Sequence, residues 1–201
     1  VLLGTQMVAK GLNLERVTLV GVLDADMSLY VDSYRAAETT FNMLTQVVGR
    51  AGRGQRPGRA LIQTMTPEHR VIVLASQQDY GGVYELEAGL REAKGCPPYR
   101  DLYTITFSGP EEGQVLRGAA LFRDSLLGCL EADPYRGLAC QVLGPAPAAV
   151  AKINYHYRYR LTLRTPRSRE VHRLLAYLLR RFAQDRANRG ISAFADINGY
   201  D

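Results

Sequence analysis

Apolar and polar residues follow one another along the first part of the chain in a pattern that predicts strands separated by helices. Short apolar runs rich in β-branched residues predict strands at 1–5, 17–23 and 60–64. Apolar residues at helical spacing predict helices at 34–52 and 69–76. Strands that alternate with helices are typical of α/β proteins with a parallel sheet, so we expect that class here.

The second part of the chain has a more regular pattern. The predicted elements are, in chain order, a strand at 102–107, a helix at 111–131, strands at 138–143 and 155–165, a helix at 168–188 and a strand at 191–197. The Pro-rich stretch 144–148 predicts a loop between the second and third strands. The order β-α-β-β-α-β is that of a ferredoxin-like α+β domain.

A predicted helix at 83–94, followed by Gly95 and Pro97-Pro98, indicates the boundary between these two parts. Glycine commonly ends a helix and proline cannot continue one. The sequence therefore predicts a first domain at 1–79, a linker at 80–98 and a C-terminal domain at 99–201.

The composition is typical of a globular protein. A chain of 201 residues with 46% hydrophobic content can bury a core, and no run of about 18 apolar residues predicts a membrane span. Because Val1 lies inside a predicted strand, we expect the chain to be a fragment of a longer protein. Cys96, Cys129 and Cys140 are widely spaced, which fits reduced cytosolic thiols and no metal site.

The formal net charge of +5 arises from the second half of the chain. Residues 1–95 carry 10 basic and 10 acidic side chains, whereas residues 96–201 carry 15 basic and 10 acidic ones. Residues 152–189 hold 11 Lys and Arg against only Glu170 and Asp185. Such a positive field attracts polyanions, so we expect a nucleic acid or an acidic partner. The alternative is an ordinary solvated face in an arginine-rich protein.

The predicted strand at 155–165 separates two kinds of side chain. Because side chains alternate along a strand, one face carries Tyr155, Tyr157, Tyr159, Leu161 and Leu163, and the other carries His156, Arg158, Arg160, Thr162 and Arg164. We interpret the tyrosines as core or edge packing rather than base-stacking residues. The arginine row, together with Lys152, is the predicted site of DNA phosphate contact.

The segment T-Q-V-V-G-R-A-G-R-G at 45–54 carries the clearest chemical signal. Arg50 and Arg53 are three residues apart at the end of the predicted helix, each preceded by a glycine, and Gln46 adds a polar amide. Arginine is permanently charged and its planar fork matches phosphate oxygens. The pattern predicts an arginine finger, whereas the alternative is a helix that simply ends at glycine with basic residues near its C-terminus.

A second glycine-flanked segment, G-T-Q-M-V-A-K-G at 4–11, follows the apolar residues Val1-Leu2-Leu3. Its hydroxyl, amide and ammonium groups suit contact with a phosphate backbone. Together the two segments resemble motifs V and VI of superfamily 2 helicases, whose lobes are RecA-like. With V-T-L-V-G-V-L-D-A-D, P-E-H at 67–69, C-P-P-Y at 96–99 and V-L-G-P-A-P-A at 142–148, the chain resembles the bacterial PriA family, primosomal replication protein N-prime, essentially from end to end.

The resemblance implies an ATP-dependent 3′→5′ DNA helicase that recognises stalled replication forks and restarts replication through primosome assembly. It implies that Thr5, Gln6 and Lys10 contact DNA and that Gln46, Arg50 and Arg53 are catalytic. The implied nucleotide-binding set is Gly11, Asn13, Gly49, Arg50 and Arg53. The implied partners are forked or single-stranded DNA, single-strand binding protein and other primosome proteins in the bacterial cytoplasm, associated with the nucleoid.

Several expected features are absent or altered in this sequence. Neither a G-x-x-x-x-G-K-[ST] loop nor D-E-x-H is present, so ATP and Mg²⁺ need a missing N-terminal lobe and the fragment alone should be inactive. The family's zinc-binding cysteines would also lie upstream of Val1. Asn13-Leu14 replaces the Asp-Phe common in the family, and Gly199 replaces the usual proline after Asn198.

Two other functions are compatible with the sequence. The chain could act chiefly as a non-catalytic docking module that binds single-stranded DNA and the acidic tail of single-strand binding protein. Arg167, Arg169 and Arg173 at the start of the last predicted helix are the expected tail-binding residues. Motifs V and VI alone would also permit a different superfamily 2 translocase.

The remaining polar candidates are assigned no chemistry. Asp24, Asp26 and Asp32 match no calcium-loop spacing, and we interpret them as solvated or fold-capping carboxylates. The three histidines, His69, His156 and His172, are isolated from one another and from any nucleophile.

Overall fold

The computed structural model describes residues 2–4, 17–49, 51 and 57–199. The chain divides into two compact units, Val1–Leu90 and Arg91–Asp201, and each is described by itself. Within the described ranges, no helix is both long enough and apolar enough to cross a membrane.

The first unit contains a two-stranded parallel sheet. Strand β1 (Leu19–Val22) pairs with β2 (Arg59–Ile62), and the register runs from Leu19 opposite Arg59 to Val22 opposite Ile62. The described helices are α1 (Asp26–Leu29), α2 (Ala36–Val48), α3 (Arg70–Ser76) and α4 (Tyr80–Lys94). The predicted α/β class with a parallel sheet is confirmed, although each strand is shorter than predicted.

The core of the first unit is formed mainly by α2 and α3. Phe41 and Leu44 of α2 and Val71 and Ala75 of α3 are almost completely buried in one cluster. His69 caps α3, because its Nδ1 accepts a hydrogen bond from the backbone N–H of Val71 at 3.3 Å. Phe41 and Leu44 were expected at core positions and are buried, whereas Val47 and Val48, expected there as well, are only partly buried.

Two predictions for the first unit are wrong in detail. Residues 2–4 form no strand, and Leu3 is largely exposed, so the predicted strand at 1–5 is not formed at the three of its residues that the structure describes. Helix α2 ends at Val48 rather than at Gly52. Its end is set by Gly49, whose N–H donates to the carbonyl of Thr45 and closes the last turn.

The carboxylate of Asp26 ties together the segments that follow the two strands. Its Oδ1 accepts hydrogen bonds from the hydroxyls of Thr64 at 2.8 Å and Thr66 at 2.7 Å, and its Oδ2 accepts from the N–H of Met65 at 2.7 Å. These bonds, above all those from Thr66 and Met65, hold the pKa of Asp26 below its ordinary value. Asp26 is therefore a structural carboxylate.

The second unit contains a four-stranded antiparallel sheet with strand order β4-β5-β3-β6. Its elements are, in chain order, β3 (Asp101–Gly109), α5 (Glu112–Leu130), β4 (Gln141–Ile153), β5 (His156–Thr165), α6 (Arg169–Gln184), a 3₁₀ turn (Arg186–Asn188) and β6 (Ser192–Ile197). Both predicted helices and all four predicted strands of this part are observed.

Helices α5 and α6 pack on one face of this sheet. Phe107 of β3, Phe122 of α5 and Phe182 of α6 meet edge to face, with ring centroids 5.3 to 6.0 Å apart. Leu161 and Leu163 of β5 are completely buried in the same cluster. The opposite face of the sheet is therefore the one on which polar residues lie.

The prediction of a Pro-rich loop at 144–148 is wrong, because these residues belong to β4. The strand continues through them with register shifts against β5 after Leu143 and after Pro147. Proline cannot donate a backbone hydrogen bond, but β4 is an edge strand and such strands tolerate proline and bulges. Gly144 adopts a φ of +97° at the first shift, where a Cβ would lie 2.7 Å from the carbonyl oxygen of Arg160.

Candidate nucleic-acid interface

Strand β5 separates apolar from basic side chains, as predicted. Tyr159, Leu161 and Leu163 are buried against the helices, so the alternation of a strand directs Arg158, Arg160 and Arg164 to the other face. These three arginines are half-buried rather than fully exposed. We call this side of the sheet the arginine face.

The register of the sheet identifies what lies beside each arginine. Arg158 is opposite Ser108 of β3, and Arg160 is opposite Thr106, which is in turn opposite Phe194 of β6. The arginine face is made of these residues and Thr104, Thr162, Arg164, Gln141, Leu143, Ser192 and Asp196. Thr106 is buried, whereas the other hydroxyl residues of this face are half-buried or exposed. Their hydroxyl groups and the guanidinium groups are donors that phosphate oxygens accept from.

Few carboxylates oppose this positive charge. Residues 134–169 contain no Asp or Glu and seven Lys or Arg. Arg164 Nη1 donates to the side-chain oxygen of Gln141 at 3.3 Å. Within the described part of the chain, neither Arg158 nor Arg164 forms an ion pair. The guanidinium groups of these two residues keep their charge available to a polyanion.

Lys152, predicted to join the arginine row, lies on the other face. It is opposite Tyr157, which alternates with Arg158 along β5. Its Nζ donates to the Tyr157 hydroxyl at 3.1 Å and lies 4.2 Å from the centroid of that ring. The structure therefore brings together Arg158, Arg160 and Arg164 but separates Lys152 from them.

The tyrosines of β5 differ in their surroundings. Tyr159 is buried, and its hydroxyl donates to Oε1 of Glu112 at 2.9 Å, which raises its pKa, with burial as the next cause. Tyr159 therefore has the packing function that the sequence predicted. Tyr155 precedes β5 in the turn and its side chain is 86% exposed.

The predicted partner-binding residues cluster at the beginning of α6. Arg167, Arg169 and Arg173 are exposed. Ser168 caps the helix by accepting from the N–H of Val171 at 3.3 Å. The pKa of Glu170 lies below its ordinary value, chiefly because its own backbone N–H and the Ser168 hydroxyl donate to it and secondarily because Arg173 and Arg169 are near.

Most of the residues predicted for the nucleotide site and for the DNA contact in the first unit lie outside the described residues. This applies to Gly11, Asn13, Arg50 and Arg53 of the nucleotide site and to Thr5, Gln6 and Lys10 of the DNA contact. The two that are described lie at the C-terminal end of α2. Gln46 is exposed there, and Gly49 is the C-cap.

One aromatic residue at this sheet was not identified from the sequence, and a second was assigned to the wrong surroundings. Phe194 is 46% exposed, because Ala193 and Ala195 are the β6 residues that pack against the helices. Phe194 lies between these two alanines in the sequence. Because side chains alternate along a strand, this spacing indicates that Phe194 lies on the face opposite the helices. The interpretation of Tyr155 as core or edge packing is wrong, because Tyr155 lies in an exposed turn before β5.

The comparisons with known proteins cover the whole chain. Residues 92–199 match the family model described as the primosomal protein N C-terminal domain. A protein named replication restart protein PriA from Bacillus subtilis (strain 168) is 38% identical over 200 residues, which are 100% of this chain and 24% of that protein. The PriA of Synechocystis sp. is 40% identical over 168 residues, or 82% of this chain and 19% of that protein.

A third relative of the same name, from Treponema pallidum (strain Nichols), is 36% identical over 198 residues, or 98% of this chain and 29% of that protein. The chain thus spans about a quarter of the length of these curated relatives. The match of more than half of its residues to the family model makes this chain a member of the primosomal protein N (PriA) family, in which residues 92–199 are the C-terminal domain.

Proposed function

We propose that this chain is the C-terminal portion of an ATP-dependent 3′→5′ DNA helicase that acts in replication restart, and that its second unit binds DNA through the arginine face. One observation carries the DNA-binding part of the proposal. Arg158, Arg160 and Arg164 lie together on the sheet face opposite the helices, in a segment without a single carboxylate. Family membership supports the replication role, since the relatives are named replication restart proteins.

The proposed fold assignments follow the same division of the chain. We propose that residues 1–79 are part of a RecA-like lobe, that 80–98 are a linker and that 99–201 are a ferredoxin-like domain. The parallel pairing of β1 with β2 supports the RecA-like assignment. The order β-α-β-β-α-β and the strand order β4-β5-β3-β6 support the ferredoxin-like assignment.

The motor function is assigned to the segment around α2. Gln46 at the exposed end of α2, with Arg50 and Arg53 after it, would face a nucleotide bound mainly by the part of the protein that precedes this chain. When bound, ATP with Mg²⁺ supplies the phosphoryl group whose transfer drives the motor. The arginines would stabilise the negative charge on that group, and Gly11, Asn13 and Gly49 would line the same site. Thr5, Gln6 and Lys10 would hold the DNA backbone.

The isolated chain is proposed to be inactive as a motor. It contains neither a phosphate-binding G-x-x-x-x-G-K-[ST] loop nor D-E-x-H. Among the described residues, no group of three or more His, Cys, Asp or Glu side chains could hold a metal ion. The zinc that the resemblance implies is proposed to bind upstream of this chain. Other primosome proteins and a cytoplasmic, nucleoid-associated location belong to the same proposal.

A second candidate function is the docking of the acidic C-terminal tail of single-strand binding protein. The observation that favours it is the exposed cluster of Arg167, Arg169 and Arg173 at the beginning of α6. Val171, which the sequence suggested as an apolar neighbour, is buried in the core. Guanidinium groups at a helix N-terminus suit a terminal carboxylate. This function and DNA binding would use different surfaces of the second unit.

DNA binding through the arginine face is tested by the substitutions Arg158→Ala and Arg160→Ala in one variant. We expect weaker binding of oligothymidylate, measured by fluorescence anisotropy at several salt concentrations. Each lost phosphate contact lowers the slope of log affinity against log salt by roughly 0.7 for single strands, so the slope should fall by about 1.4.

The matched control is the double variant Arg117→Ala and Arg180→Ala, which removes the same charge from exposed positions on α5 and α6. Circular dichroism establishes that both variants are folded. Equal affinity and equal salt slope in the two double variants would contradict the assignment of DNA binding to the arginine face.

A further inference from the structure

The hairpin that joins β4 to β5 ends in a turn of unusual composition. Ile153 pairs with His156, so Asn154 and Tyr155 alone form the loop. Both have a positive φ, +49° for Asn154 and +64° for Tyr155. A two-residue loop with positive φ at both positions matches the right-handed twist of the flanking strands, and it is usually formed by Asn-Gly.

Tyrosine is a poor residue for the second position of this loop. In the left-handed region an L side chain comes too close to the following carbonyl oxygen, a clash that glycine lacks. Burial does not compensate, because the side chain of Tyr155 is 86% exposed. The stability of the fold therefore gives no reason for tyrosine here. Bulky residues held in such conformations are concentrated at functional sites.

The surroundings of the turn indicate which ligand the ring would meet. The turn lies inside the segment 134–169, which carries seven basic and no acidic side chains. Lys152 lies three residues before Tyr155, with its ammonium group beside the ring of Tyr157. A planar exposed ring on a basic hairpin fits a nucleic acid, whose phosphates are attracted by the charge and whose bases have faces that can stack on the ring.

We propose that Tyr155 stacks on an unpaired nucleobase of single-stranded DNA bound to the second unit. This proposal rests on the proposed DNA binding of that unit. A base inside a duplex is already stacked on both faces and offers none to the ring. Tyr155 would therefore favour single strands over duplexes, whereas the arginine face contacts the phosphates that both share.

The proposal is tested with the 201-residue chain and the substitutions Tyr155→Gly, Tyr155→Asn and Tyr155→Phe. Glycine and asparagine both tolerate positive φ but have no ring, and phenylalanine keeps the ring. The control is Tyr84→Ala, which removes an exposed tyrosine from α4. Binding of oligothymidylate and of a blunt duplex is measured by fluorescence anisotropy, and the melting temperature (Tm) by circular dichroism.

We expect Tyr155→Gly and Tyr155→Asn to weaken oligothymidylate binding at least about fivefold, because each base–aromatic stack contributes at least that factor. Duplex affinity should change less than about twofold, and Tyr155→Phe and Tyr84→Ala should bind both probes as the wild type does. Tyr155→Gly should also raise the Tm by about 2–4 °C by removing the backbone clash. A residue retained for the fold would show the opposite, a lower Tm without a change in affinity.

Two results would overturn the stacking assignment alone. One is oligothymidylate binding by Tyr155→Gly and Tyr155→Asn within about twofold of the wild type, and the other is an equal loss of affinity for both probes. A wild-type chain that binds neither probe would overturn the proposed DNA binding and this inference with it. The failures of the two proposals are thus distinguishable.

Discussion

At the scale of single residues, one carboxylate of the first unit joins segments that are distant in the sequence. Asp26 receives its hydrogen bonds from Thr64, Met65 and Thr66, which are 38 to 40 residues away in the sequence. No local pattern distinguishes Asp26 from Asp24 or Asp32, because its partners become neighbours only when β2 pairs with β1. The sequence therefore predicted a solvated or fold-capping carboxylate at Asp26, but it did not predict which residues this carboxylate contacts.

The lowered pKa of Asp26 gives a prediction for acid stability. A group whose pKa is lower in the folded state contributes stability above its unfolded pKa, about 3.8, and this contribution is lost as the pH falls through the folded pKa. We expect Asp26→Asn to lower the Tm at pH 7 by several degrees. The variant should also lose less stability than the wild type between pH 5 and pH 3.

Thermal melts followed by circular dichroism at several pH values provide the measurement. Asp32→Asn is the matched control, because Asp32 is exposed and its substitution should leave the Tm unchanged. If Asp26→Asn and the wild type had the same Tm at pH 7, the structural role of this carboxylate would be wrong.

At the scale of secondary-structure elements, prediction succeeded for the strands and helices whose apolar residues recur at the spacing of the face that is buried in the structure. The faces of β5 followed from strict alternation, since Leu161 and Leu163 are buried and Arg158 and Arg160 lie on the other face. The apolar spacing in α6 likewise predicts a buried stripe. Of its six residues, Ala183 is exposed and five are buried, namely Val171, Leu174, Leu175, Leu178 and Phe182. Local spacing is sufficient in these cases because one face of each element is buried.

Prediction failed where pairing with a distant strand overrides the local signal. Gly144, Pro145 and Pro147 favour a loop when judged by their neighbours alone. The pairing of β4 with β5 extends the strand through them, and the register shifts accommodate the prolines. The position of the turn at Asn154-Tyr155 was missed for a related reason, since tyrosine is not a turn residue by composition.

The beginning of α6 gives a prediction at the same scale. A peptide that ends in an acidic tail and a free terminal carboxylate should bind to Arg169 and Arg173 by charge-assisted hydrogen bonds. We expect Arg169→Ala with Arg173→Ala to weaken binding of such a peptide roughly tenfold or more, as measured by calorimetry. The pair Arg158→Ala and Arg160→Ala serves as the control and should leave this affinity unchanged.

The chemistry of the peptide provides a second control for docking at α6. The same peptide with an amidated C-terminus lacks the carboxylate that the guanidinium groups would bind. If the amidated and free peptides bound equally tightly, the docking function at this helix would be excluded.

At the scale of the whole molecule, charge is unevenly distributed along the chain. Residues 1–95 are electrically neutral, and the segment that resembles helicase motif VI lies within them. The excess positive charge belongs to residues 96–201, with the arginine face on their sheet. The chain spans about a quarter of its relatives' length, so the proposed motor and DNA-binding functions are best measured together in a full-length protein of the family that contains this chain.

The central claim is that the second unit holds DNA while the paired arginines of the first act on the nucleotide. It is tested most directly by DNA-dependent ATP turnover of the complete protein. Arg53→Ala should lower kcat by roughly 10³-fold or more and leave the KM for DNA unchanged. Arg158→Ala with Arg160→Ala should raise the KM for DNA several-fold and leave kcat unchanged. Turnover in which the arginine-face variant keeps the wild-type KM for DNA would contradict the account.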